Sequence, residues 1–300
     1  MARLQVLLAA VCFGTTGTAQ ALGPDASPLT VGAVRIAVGA LLLLAVQRGV
    51  ARTRVSPPVA RTWARAPVAA GAVGVAAYQL CFFAAVKDTG VAVGTVVALG
   101  SAPALAGLGG WLLDRRAPGG AWAAATGLAC GGVALLALAG GGSEVSGPGV
   151  ALAVGAGASY AAFTLASKRL LDAGHAVEPV MARTFGFGAV LLIPVLLIGD
   201  VSWVATPAGA ATALWLGAIP TAVAYLLFAR GLRHLPAGEV ATLTLAEPVT
   251  AAVLGAAVLS ERPGAMAIAG IALILAGLAV LAVPRRAAQP PTPAGSGAVA

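Results

Sequence analysis

Apolar runs close to twenty residues long recur along the chain, separated by short polar or Gly/Pro-containing breaks. A helix needs about 20 mostly apolar residues to cross the hydrocarbon core of a bilayer, and each run has about that length. Ten such runs are readable. Five lie in the first half, near Leu4–Leu22, Leu29–Val46, Pro67–Val86, Val91–Leu113 and Ala121–Ala139. Five lie in the second, near Val150–Leu170, Pro179–Ile198, Pro207–Phe228, Val240–Leu259 and Ala265–Val283. The expected fold is therefore an all-α membrane bundle of ten transmembrane helices.

Composition points the same way. Only 9% of the 300 residues are charged, against roughly 25% in an ordinary soluble domain, too few to cover a water-facing surface. The 40 glycines and the abundant alanine suit helices that approach closely in lipid. A net charge of +8 does not point to nucleic acid, because no basic, groove-sized surface accompanies it. Cys12, Cys81 and Cys130 sit singly in apolar runs without metal-type spacing, so they read as packing residues, and neither a metal nor a cofactor is expected. Met1–Gly23 has the outline of a signal peptide, but its polar Thr15, Thr16, Thr18 and Gln20 and the repeat described next favour a retained helix. Residues 287–300, rich in Pro, Gly and Ala, read as a disordered tail.

Short cytoplasmic loops collect Lys and Arg. With the N-terminus inside, Arg3, Arg48, Arg52, Arg54, Arg61, Arg65, Arg115, Arg116, Lys168, Arg169, Arg230, Arg233, Arg285 and Arg286 all fall on the cytoplasmic side. Only Lys87 and Arg262 fall outside, while Arg35 and Arg183 lie within predicted spans. A multi-pass protein of the cell membrane with both termini cytoplasmic is expected. The arginine-rich loop between the second and third spans reads as a topology determinant that can also meet anionic headgroups.

Displacing the chain on itself by about 147 residues aligns Ala77-Tyr78 with Ala224-Tyr225 and Thr95 with Thr242, the mark of an internal repeat. Arg35 falls within one residue of Arg183. After a two-residue gap Pro103 meets Pro248, and Asp114-Arg115 resembles Glu261-Arg262. The halves, residues 4–139 and 150–283, hold five spans each, and an odd number inverts the second half. Two inverted five-helix repeats suit alternating access by a transporter.

Phe13-Gly14, Arg35, Pro103, Glu247-Pro248, Glu261-Arg262 and the glycines Gly270 and Gly277 of the last span, in this order over residues 4–283, resemble the EamA family of the drug/metabolite transporter superfamily. The resemblance implies ten helices in two inverted repeats, and export or uptake of small metabolites, amino acids among them. Phe13 stands where the family often has Trp. Ala102 precedes Pro103 where the second half has Glu247, so Glu247 has no mate in the first half.

Glu247 is the sharpest candidate for chemistry, since a carboxylate in mid-span costs about 2.5 to 3.5 kcal/mol unless paired or hydrated. It reads as a proton- or substrate-amine-binding group, or as a structural ion pair. Counting along the helices places Glu247 roughly 12 Å deep, Arg183 about 6 Å from the same side and Arg35 about 9 Å from the other, which favours Arg183 as partner. Arg35 and Arg183 are candidates for a substrate carboxylate, or snorkel to headgroups. Pro103 and Pro248 are candidate kinks. Candidate substrate-facing residues form stripes at helical spacing: Thr15 with Thr18, Thr16 with Gln20, Tyr160 with Thr164, Thr221 with Tyr225, and Thr244 with Glu247 and Thr250, joined by Tyr78. Helix packing is the plainer reading of each Thr. The Gly127/Gly131 pair suits close packing inside the chain, with a homodimer contact as the other reading.

A secondary transporter of small metabolites, amino acids or related compounds, with export favoured, is the expected function. A channel or a non-transporting membrane scaffold is the alternative. No nucleophile with its base, metal cluster or phosphate loop points to an enzyme.

Overall fold

The computed structural model of the chain describes residues 1–53, 62–115, 117–139, 146–260 and 262–282. The predicted cytoplasmic cations Arg54, Arg61, Arg116, Arg285 and Arg286, the Glu261 of the repeat alignment and the tail at 287–300 lie outside the described residues.

Among the described residues, nine helices are long and apolar enough to cross a membrane. They are α1 (Ala2–Ala21), α2 (Pro28–Thr53), α3 (Arg65–Gly90), α4 (Val93–Leu113), α5 (Gly120–Ala139) and α6 (Gly147–Asp172), then α9 (Pro207–Leu232), α10 (Ala237–Val258) and α11 (Ala265–Ala282). The remaining predicted span is divided into α7 (Val177–Leu191) and the short α8 (Ile193–Ile198). Pro194, in the first turn of α8, lacks the N–H that would have continued the ladder of α7.

Helix starts follow local chemistry. Ser146 caps α6, its Oγ accepting from Gly149 N at 3.3 Å. Thr206 caps α9 in the same way, at 3.0 Å from Gly209 N, with Pro207 in the first turn where a missing N–H costs nothing. α3 and α4 are joined by a minimal turn at Gly90, whose φ of 77° favours glycine.

The proline expectations divide. α4 runs through Pro103 without leaving helical geometry, Gly90 being the non-helical residue between Arg65 and Asp114. At Pro248 the helix does change: α10 tightens to a 3-10 turn over Thr244–Ala246 and restarts at Glu247. α9 carries a π-turn at Ala218–Val223, around Pro220, which the apolar pattern does not reveal.

α1 packs on α9 and α10, and α6 packs on α3 and α4. α2 lies against α7, and α5 against α11. The last pair meets backbone to backbone, since a Cβ added at Gly132 would lie 2.5 Å from the Gly270 carbonyl oxygen. Gly127 and Gly131 differ from expectation: a Cβ at either would meet nothing within 4 Å. The close packing of α5 within the chain is made on another face, by Gly132.

Candidate functional site

An aromatic cluster fills the centre of the bundle. In a chain with 5% aromatic residues, all three tyrosines and six of the seven phenylalanines are linked by ring contacts. Tyr225 on α9 lies 4.4 Å from Phe185 and 4.9 Å from Phe13 between ring centroids. Tyr78 on α3 lies 6.3 Å from Tyr160 on α6. The Phe13/Tyr225 and Tyr160/Tyr78 pairs are related by the repeat's own 147-residue offset.

Polar groups enter this cluster at a few points. Arg35 Nη2 donates to Gln79 Oε1 at 3.5 Å, and Gln79 Nε2 donates to the Gly32 carbonyl at 3.0 Å. Arg35 Nε is buried without a partner among the described residues. A small cavity of about 10 Å³ is bounded by Arg35, Tyr78, Gln79, Tyr160, Phe163 and Tyr225, together with neighbouring apolar residues. Glu247, half-buried at the restart of α10, makes no side-chain hydrogen bond or ion pair among the described residues. Its place in the first turn of a helical segment favours a carboxylate through the helix dipole. Glu247 stands one turn from Thr244, whose hydroxyl lies 3.2 Å from that of Tyr160, and its backbone carbonyl lies against Gly14, the neighbour of Phe13.

Of the two arginines, Arg35 is the one that lines the central cavity. The depth count favoured Arg183, but depth is one coordinate of three. The Arg183 guanidinium lies 3.9 Å from the centre of the Trp63 ring, and Trp63 stacks on His175 at 4.0 Å. Trp63 is thus held between a guanidinium and an imidazole, and Arg233 Nη2 donates to the His175 carbonyl at 2.9 Å. Trp63→Ala is expected to raise trypsin cleavage after Arg65 about fivefold in membranes, since a cation–π contact contributes about 1 kcal/mol; an unchanged rate would show that the stack does not hold this segment.

The other candidate residues scatter. Thr244 belongs with the cluster: its hydroxyl lies 3.2 Å from the Tyr160 hydroxyl. Thr164 is fully buried, its Oγ1 without a partner among the described residues. Thr221 donates to the Leu216 carbonyl at 2.8 Å inside the π-turn, a structural position. Thr15 donates to the Cys12 carbonyl and accepts from Trp215 Nε1 at 3.3 Å. Thr18 and Gln20 are half-buried on α1 and line neither described cavity. Gln79, 2% exposed, was not singled out by sequence, because a Gln inside an apolar span gives no sign of which helix it will face.

A much larger cleft, of about 1010 Å³, lies between α4, the start of α5, the end of α6, the start of α10 and the end of α11. Trp111 and Trp122 form part of its apolar wall, and its charged groups pair with one another. Arg3 Nε lies 2.7 Å from Glu239 Oε1, and Lys168 Nζ 2.7 Å from Asp172 Oδ1.

The EamA-like transporter family model matches residues 1–138 and again 147–283. The chain belongs to the EamA-like transporter family. It is 43% identical over 287 residues to the uncharacterized transporter YwfM of Bacillus subtilis (strain 168), covering 94% of each. An uncharacterized transporter of Archaeoglobus fulgidus is 30% identical over 134 residues, 44% of this chain and 47% of the relative. A protein of known crystal structure shares the fold with a TM-score of 0.80 at 22% identity, over 93% of this chain and 96% of that one. This EamA-family chain is a multi-pass membrane protein and a membrane transporter.

Proposed function

We propose that this protein carries small zwitterionic metabolites, amino acids or related compounds, across the cytoplasmic membrane by alternating access, with export as the working direction. The observation that carries this reading is the gathering of Arg35 and the three tyrosines, from both halves of the chain, around one cavity, with Glu247 one turn from the Thr244 that meets Tyr160. A cation with an unpartnered N–H offers a site for a carboxylate, and an unpaired carboxylate offers one for an amine or a proton. Tyrosine faces between them suit an amphipathic solute.

Ten spans in two inverted repeats, residues 4–139 and 150–283, are part of the same reading. The family match occurs twice, once in each half. The packing supports it too: α1 lies on α9 and α10 as α6 lies on α3 and α4, while α2–α7 and α5–α11 pair across the halves. A pseudo-twofold axis exchanges such contacts. The clustering of Arg and Lys at one set of helix ends supports cytoplasmic termini.

The test is a radiolabelled panel of amino acids, other metabolites and drugs in proteoliposomes. Saturable uptake that is accelerated by the same solute on the far side, for a zwitterion and not for its amide or ester, is the expected result. Flux that never saturates would indicate a channel, and absence of flux for the whole panel a scaffold; either would overturn the reading.

A further inference from the structure

Residues that line the central cavity and the large cleft meet in one small apolar cluster. Ala106 lines the cleft. It packs with Ala161 and Ala241, each at most 3% exposed, and Tyr160 lies against these three. Tyr160 in turn lines the central cavity. The Tyr160 hydroxyl, 3.2 Å from the Thr244 hydroxyl, ties α6 to the 3-10 turn of α10. Thr244 also donates to the Ala241 carbonyl at 2.8 Å, so the same turn holds the alanine layer.

Alanine has no rotamers, so of the side chains in and against this cluster only Tyr160 and Leu105 can swing without movement of a helix, and of these two Tyr160 lines the central cavity. The α1–α10 contact at Glu247 is built differently. There a Cβ added at Gly14 would lie 2.5 Å from Thr250 Cβ and 2.8 Å from the Glu247 carbonyl oxygen. The α1–α10 contact is backbone-close. Phe13, which the 147-residue offset places opposite Tyr160, carries no hydroxyl with which to tie two helices.

We infer that Tyr160, tied to Thr244, is the gate between the cytoplasmic cleft and the central substrate site, and that the structure shows the cleft open with this gate shut. The inference rests on the proposed orientation and on the central cluster as the substrate site. Tyr160 is a positioning residue here: it sets access to Arg35 and the cavity it lines, while the tight α1–α10 contact holds shut the other side.

Single-cysteine proteins test this without a known substrate. Cys12, Cys81 and Cys130 are replaced by alanine, and one cysteine is placed at Gly110, in the cleft, or at Val75, on the central cavity. A Cβ at Gly110 would meet only Leu165 Cδ2, at 3.9 Å. In inside-out vesicles treated with a charged, impermeant maleimide, Gly110→Cys is expected to react quickly and Val75→Cys slowly. Adding Tyr160→Phe or Thr244→Val is expected to raise the Val75→Cys rate about threefold or more, as loss of one interhelical hydrogen bond would give. Unchanged Gly110→Cys labelling in the same variants reports an intact fold.

Equal rates at the two probes with Tyr160 present would overturn the gate. So would a Val75→Cys rate indifferent to both substitutions. Gly110→Cys that reacts only in right-side-out vesicles, or in neither orientation, would overturn the open cytoplasmic cleft. Labelling does not depend on transport, so a failed solute panel would remove the proposed cargo and leave the gate standing, and the converse holds.

Discussion

Glu247→Gln is expected to lower transport driven by a pH gradient at least about tenfold in proteoliposomes, equivalent to about 1.4 kcal/mol of lost coupling. Glutamine keeps the size and most of the hydrogen-bonding capacity of the side chain but cannot take up or release a proton. Because the Glu247 carboxylate has no protein partner among the described residues, its loss should leave the bundle intact. Counterflow of the same solute without a gradient separates the roles. Retained counterflow with lost gradient response assigns the proton to Glu247; loss of both assigns the substrate amine. An unchanged gradient response would remove the carboxylate from the coupling step, and a fall in thermal stability would return it to a packing role.

Gly14→Leu is expected to destabilise the detergent-solubilised protein by about 1–3 kcal/mol, the usual cost of forcing side-chain volume into a filled contact. At Gly14 the obstruction includes a carbonyl oxygen and the branch point of Thr250, neither of which can rotate away. The gain in helix propensity over glycine, about 1 kcal/mol, offsets only part of this. Gly127→Leu is the matched control, since a Cβ there meets nothing within 4 Å. Its midpoint of thermal unfolding should stay level or rise. Equal losses at the two positions would mean that the α1–α10 contact is not as close as described.

The helices were largely legible because a span is a local property: its length and apolarity are written in consecutive residues. The breaks at Gly90 and Pro248 were equally local, through backbone freedom at one and a missing N–H at the other. At Pro103 the backbone angles of α4 stay helical. The central meeting of Tyr78, Tyr160, Tyr225 and Glu247 was half legible, as polar and aromatic residues at helical spacing within apolar spans. Their neighbours were not. Whether Arg35 or Arg183 lies at the central cavity depends on how each helix is rotated, which spacing along one helix does not encode. The same holds for Gly127 and Gly131, whose spacing would read identically on a packed or an open face. Trp63 and His175 escaped notice because each stands alone in a loop, and only the fold stacks one on the other.

The minimal turn at Gly90 has a mechanical consequence. Helices joined by so little chain cannot separate at that end, so α3 and α4 are two arms held together at residue 90. One arm carries Tyr78 and Gln79 at the central cavity, the other Ala106 and Trp111 at the cleft. A rearrangement that exchanged access between the two would therefore have to turn these helices about residue 90 and could not pull them apart there.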